Sequence, residues 1–131
     1  MTRNEALVYD LLCKADRPLS AYNILDGLRN EGFKAPLQVY RALTKLIDRG
    51  AVHRIESVNG FVACQLHDCA DNAVSIFMLC ADCEAAIEFT DPSIDAKLQQ
   101  LGKDKGFTLA HKVIEITGTC PDCANRLDIQ Q

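Results

Sequence analysis

A chain of 131 residues with 48% apolar content can bury one ordinary core or two small ones, and no apolar run in it is long enough to span a membrane. The opening Met1-Thr2-Arg3-Asn4-Glu5 leads into an amphipathic pattern rather than a secretion signal, so seven cysteines imply a reducing, cytoplasmic setting where thiols hold metal instead of pairing. The formal charge of −4 argues against nucleic acid for the chain as a whole, but residues 1–60 carry nine Lys/Arg against seven Asp/Glu and residues 61–131 five against eleven.

Leu7, Val8, Leu11, Leu12 and Ala15 recur at helical spacing and predict a first helix ending near Asp16-Arg17-Pro18, with Cys13 on its buried side. Leu19-Ser20 supplies a staple and N-cap for a second helix, whose Ala21, Ile24, Leu25 and Leu28 face inward and which Gly32 stops. Pro36 opens a third, with Val39, Ala42, Leu43, Leu46 and Ile47 as its buried stripe and Gly50 as its end. The opposite face of this helix carries Gln38, Tyr40, Arg41, Thr44, Lys45 and Arg49, placing three cations at i, i+4 and i+8. Residues 51–56 and 61–64 are strand-like and joined through Asn59-Gly60, a hairpin signal. Three helices and a hairpin describe a winged helix-turn-helix, with the third helix suited to the major groove of double-stranded DNA.

In the rear half, the strand-like run Ser75–Leu79 leads into Cys80-Ala81-Asp82-Cys83, and Val113–Thr117 into Cys120-Pro121-Asp122-Cys123. Two Cys-x-x-Cys clips make a closed four-sulfur zinc site, which stabilises structure and leaves no open position for catalysis; two separate redox pairs are the alternative. The 36 residues between the clips are enough for a small subdomain. A strand at 85–89, a helix capped by Asp91 and opened by Pro92 with Ile94, Leu98 and Leu101 inward, and a strand from Phe107 to Thr117 supply it. The run 74–79 is apolar on both faces, as for a strand buried between a helix and a partner, so a homodimer is expected.

Ser20-Ala21-Tyr22-Asn23-Ile24-Leu25, Val39-Tyr40-Arg41-Ala42-Leu43 and Val52-His53-Arg54-Ile55-Glu56-Ser57 resemble the ferric uptake regulator superfamily, nearest its zinc uptake branch. His111-Lys112-Val113-Ile114-Glu115 and Gly118-Thr119-Cys120 fit the same branch. The resemblance implies an α+β chain: a winged-helix DNA-binding domain over 1–65, a hinge loop at 66–73, and a small α/β dimerisation domain with the four-cysteine structural zinc over 74–131. It also implies a homodimeric, zinc-dependent repressor of metal uptake genes on palindromic operators, neither an enzyme nor a binder of small-molecule substrates. Tyr22, Tyr40 and Arg41 match DNA-contacting positions, Lys45 continues the basic stripe, and Gln38 stands where threonine is usual. Glutamine can bond a phosphate or an adenine, which alters the expected sequence preference more than binding itself.

The same resemblance assigns His53, Cys64 and Glu88 to a second, regulatory zinc drawn from both domains. The family's usual fourth ligand, a histidine about seven residues before the first clip, is replaced by Ala73. The hinge offers His67, Asp68, Cys69 and Asp71; His67 is preferred because imidazole keeps a nitrogen, sulfur and oxygen set suited to zinc, with Cys69 the competitor. His111, expected in mid-strand, is read as structural before ligating. Two zinc ions per monomer are therefore expected, and a thiol-responsive or other-metal-responsive regulator of the same superfamily is the alternative.

Overall fold

The structure, a computed structural model, describes residues 1–65 and 73–130. It divides into two units, Met1–Cys64 and Gln65–Gln131.

The first unit contains α1 (Arg3–Lys14), α2 (Ala21–Gly27), α3 (Pro36–Asp48) and an antiparallel hairpin of β1 (Val52–Ile55) and β2 (Gly60–Ala63). Its first two helices start on reciprocal caps. Thr2 Oγ1 accepts from the Glu5 amide at 3.2 Å while Glu5 Oε2 accepts from the Thr2 amide, and Ser20 and Asn23 repeat the exchange. Val8, Leu12, Ile24, Leu25, Val39, Leu43 and Leu46 then close one core over Phe33, each fully buried aliphatic side chain contributing about 1.5–3 kcal/mol before entropy is counted. Leu19 bridges to Phe61 through two backbone hydrogen bonds, tying the turn before α2 to the hairpin.

Four local expectations are corrected here. Helix α2 stops at Gly27, and a 3-10 turn over Arg29–Glu31 carries the chain to Gly32. The hairpin strands are joined by a 3-10 turn over Glu56–Val58 and a left-handed Asn59, longer than a two-residue turn. Ile47 lies at the edge of the α3 stripe and is exposed, because Val39, Leu43 and Leu46 already fill the facing core. Cys13 is exposed rather than in the core: Val8 and Leu12 set the inward face of α1, and the next residue is turned about 100° away, beside the Tyr9 hydroxyl.

The second unit contains β3 (Ser75–Cys80), β4 (Ala86–Phe89), α4 (Pro92–Asp104), β5 (Val113–Gly118) and α5 (Pro121–Gln130). Its sheet runs β4-β3-β5, with β3 antiparallel to β4 and parallel to β5. Residues opposite one another share a face, so Ile76, Met78, Ile87, Phe89, Ile114 and Ile116 line one side of the sheet. Phe77, Leu79 and Glu88 line the other and are buried. Met78 is thus half open in the single chain, on the face for which a partner was expected.

Helix α4 begins on Asp91, whose Oδ1 accepts from Ser93 and Ile94, and ends where Gly106 turns left-handed and Phe107 N–H reaches back to Gly102 at 2.7 Å. Ile94 and Leu101 are exposed, contrary to the inward face expected of them; the helix meets Leu109 through Gly102 instead. The last strand starts at Val113, not Phe107, so His111 sits exposed before it rather than within it.

Asp95 fastens this segment. Its Oδ1 accepts from the buried Lys112 ammonium at 2.6 Å and from the Val74 amide at 2.9 Å. The Lys112 ammonium, with the Val74 amide assisting, holds the Asp95 carboxyl below the usual carboxylate range. A carboxyl lowered on folding stabilises the fold above its unfolded value of about pH 4 and loses that contribution as pH falls through its lower folded value. At pH 7, Asp95→Ala is expected to lower the thermal midpoint of the second unit more than Lys112→Met. The first strands a buried ammonium, whereas the second leaves a partly exposed carboxylate that still accepts from Val74. Paired melts of the zinc-loaded variants decide the order.

Candidate metal centre and nucleic-acid interface

Parallel pairing of β3 with β5 brings the two clips to the same end of the sheet. Cys80 is the last residue of β3, opposite Gly118, and Ala81 N–H donates to Gly118 O at 2.9 Å. The first clip folds back through Cys80 N–H to Ala85 O and Glu84 N–H to Cys80 O, with Glu84 in the left-handed region at φ 66°. The second is the opening turn of α5: Pro121 takes the first helical position and Ala124 N–H donates to Cys120 O. That helix was not foreseen in the sequence, although Pro121 and Asp122 are ordinary start signals.

All four sulfurs lie within 4.8 Å of one another, and Cys83 Sγ is 3.7 Å from Cys120 Sγ. Tetrahedral zinc with Zn–S bonds of about 2.3 Å sets its sulfurs about 3.8 Å apart, so the donor set and its spacing fit that ion. The thiols are tuned against one another. Amide N–H groups, that of Cys120 at 3.4 Å foremost, pull Cys80 down to about 6. Burial, reinforced by the neighbouring thiols, pushes Cys123 up to about 12. Four thiolates cannot crowd together without a cation, and zinc supplies that charge when bound. The Arg126 guanidinium donates to Cys123 Sγ at 3.1 Å from the next turn of α5 and offsets part of the excess anionic charge.

The second predicted centre is divided between the units. In the first, β1 and β2 pair Val52 with Ala63 and His53 with Val62, so His53 and Cys64 share a face of the hairpin. A His53 ring nitrogen and Cys64 Sγ lie within 4.8 Å, both residues half-buried, and Cys64 N–H donates to Ala51 O. In the second unit, buried Glu88 accepts from the Gln65 amide at 2.8 Å through Oε1, while its own amide donates to Gln65 Oε1. His67, Asp68, Cys69 and Asp71 lie outside the described residues.

The predicted DNA-facing residues sit on α2 and α3. Tyr22 and Tyr40 are exposed aromatics, and Arg41 and Lys45 are exposed on α3. Tyr40, Arg41 and Lys45 line an open groove together with Gln38 and Thr2. Arg49, the third cation of the stripe, caps α3 and reaches Glu5 Oε1 at 3.5 Å, so it is drawn toward α1. Gln38 does something sequence reasoning missed. Ala35, at the N-cap of α3, has no side-chain oxygen to offer, and Gln38 Oε1 accepts from the Lys34 amide at 2.6 Å and the Ala35 amide at 3.1 Å.

The model of the ferric uptake regulator family matches residues 1–117. The zinc uptake regulation protein of Escherichia coli K12 is 36% identical over 124 residues, 94% of this chain and 72% of that protein. Among solved structures, holo XcZur superposes with a TM-score of 0.85 at 38% identity, covering 95% of this chain and 86% of that one. A zinc uptake regulator complexed with zinc and DNA superposes with a TM-score of 0.90 at 35% identity, covering 97% and 85%.

Proposed function

Because this chain belongs to the ferric uptake regulator family of metal-responsive, DNA-binding transcription regulators, we propose that it is a cytoplasmic zinc sensor repressing zinc uptake and homeostasis genes. It binds palindromic operators as a homodimer when its regulatory site is filled. The observation that carries this reading is that a ring nitrogen of His53 and the sulfur of Cys64, a zinc ligand in its reduced form, lie together on the hairpin of the DNA-binding unit itself. Such a pair couples metal to the orientation of that unit as soon as further ligands come from elsewhere in the chain. Glu88, held by Gln65 in the second unit, is the third ligand, and His67 of the hinge the fourth, with Cys69 its competitor. The relatives support the metal: the E. coli protein is named for zinc uptake regulation, and one structural neighbour holds zinc and DNA.

The chain's own parts divide the work. Cys80, Cys83, Cys120 and Cys123 hold the second unit together and leave no open coordination position, in line with a regulator rather than an enzyme. Ile87, Ile116 and Met78 present an apolar sheet face for a second copy, which sets two recognition helices at two half-sites. Tyr22, Tyr40, Arg41 and Lys45 meet the duplex, Arg41 reading a guanine edge and Lys45 a phosphate. A metal acts as signal only through tighter binding to the DNA-competent arrangement than to the open one. Among the described residues no helix is long and apolar enough to cross a membrane.

The test is duplex binding to a promoter fragment carrying a palindrome, across buffered free zinc, with zinc counted per monomer. Two zinc ions and affinity that rises with free zinc are expected. His53→Ala should move the midpoint to at least about tenfold higher free zinc while the ion of the four-cysteine site stays bound. One zinc per monomer with zinc-independent binding would overturn the sensor and leave a constitutive or thiol-controlled regulator, which peroxide treatment would then distinguish.

A further inference from the structure

The side-chain oxygen of Gln38 is already spent. Two backbone N–H groups converge on it, from Lys34 at 2.6 Å and Ala35 at 3.1 Å, and an amide N–H only donates. The chemistry therefore fixes which end of the carboxamide faces the backbone: Oε1 points to the helix start, and Nε2, with two hydrogens and no accepting capacity, is left for the groove beside Tyr40 and Arg41. A glutamine that reads adenine needs both ends, its oxygen taking the N6 hydrogen while its nitrogen donates to N7. Here one end is occupied unless the α3 cap breaks, and Ala35 offers no replacement for it.

We propose that Gln38 is a donor-only contact to DNA, recognising an acceptor and unable to make the two-bond adenine pair. The acceptor is either a guanine edge, where N7 and O6 take both hydrogens, or a phosphate oxygen. This rests on the reading of α3 as the recognition helix and adds a preference that the residue type alone does not give. It also explains how glutamine serves at this position: one side chain closes the start of α3 and presents a donor outward from a fixed anchor.

The test begins with full-length, zinc-loaded wild type selecting from a pool of random duplexes. A recovered consensus establishes DNA reading independently of Gln38, and no enrichment at all would overturn that reading and this contact with it. Gln38→Glu and Gln38→Ala are then measured on the recovered duplex by anisotropy, with a thermal melt of each. Gln38→Glu keeps an oxygen for the two amides but turns the outward donor into an acceptor, so the melt should match wild type while affinity falls at least about tenfold. Gln38→Ala loses the cap and should melt lower. If reselection with Gln38→Ala relaxes one guanine position, the acceptor is the base; if affinity drops evenly across sequences with the consensus kept, it is a phosphate. Wild-type affinity in Gln38→Glu, or relaxation at an adenine position in Gln38→Ala, overturns the proposal.

Discussion

Replacing Cys120 with serine is expected to unfold the second unit and leave the first folded. That unit, of 67 residues, is small for a self-sufficient core, and α4 leaves Ile94 and Leu101 exposed. The strand ends at Cys80 and Gly118 meet where the sulfurs converge. A structural four-sulfur zinc contributes about 10–16 kcal/mol of apparent binding energy, which matches the whole stability of a typical domain, about 5–15 kcal/mol. Serine offers a poor ligand of similar size, so the loss comes from the ion rather than from a hole in the packing. The expected spectrum keeps dispersed amide signals for Val8, Ile24, Leu43 and Leu46 and collapses those of β3 and β5. A strong chelator should give the same pattern. A variant whose β3 and β5 signals stay dispersed without metal would show that the clips are dispensable for folding.

The second large effect concerns assembly. Ile87→Glu combined with Ile116→Glu should convert the proposed dimer to monomers and abolish tight operator binding. Ile87 and Ile116 are 57% and 45% exposed in one copy, flanking Met78 at 48% on the same sheet face. Burial of one such side chain is worth about 1.5–3 kcal/mol, and two-fold symmetry counts every substitution twice, before the cost of drying two carboxylates. The dimer constant is therefore expected to weaken more than about a thousandfold. Because the substituted side chains already meet solvent in one copy, the monomer should stay folded and melt below wild type only by the stabilisation that association adds. Sedimentation at micromolar protein reads the first outcome and duplex binding the second, since separated halves lose the advantage of engaging two half-sites at once. A variant that sediments as a dimer removes this face from consideration.

Much of this arrangement was legible from residue order. Val8, Leu12, Ile24, Leu43 and Leu46 lie at helical spacing between strong stop signals, and periodicity reports an inward face well when the covering elements are close in sequence. The two clips were visible because metal ligands demand fixed spacing. What escaped had physical reasons. Cys13 is apolar enough for a core, yet one residue past Leu12 lies a quarter-turn off the stripe. Ile94 and Leu101 mark an apolar side of α4, but periodicity says which side is apolar and not what covers it. Helix α5 was hidden because Cys120 to Cys123 reads equally as a tight turn or as one turn of helix. The capping role of Gln38 depends on where two amides point, which no pattern of side chains encodes. His67 and its neighbours lie outside the described residues, so the proposed fourth regulatory ligand is a matter for mutagenesis.

The pairing of β3 with β5 has one more implication. Parallel strands joined by a long crossover can slip past one another, and a slip of one residue sends Ile114 and Ile116 to the opposite side of the sheet. Cys80 ends β3 and Cys120 lies two residues past the end of β5, where the same slip would carry one clip about 3.3 Å away from the other. Only one alignment lets four sulfurs meet, and it is the alignment that gathers Ile76, Met78, Ile114 and Ile116 on a single side. On the reading proposed above, the clips would act as a vernier for the sheet, and a chain without zinc there would lose the face it offers a second copy.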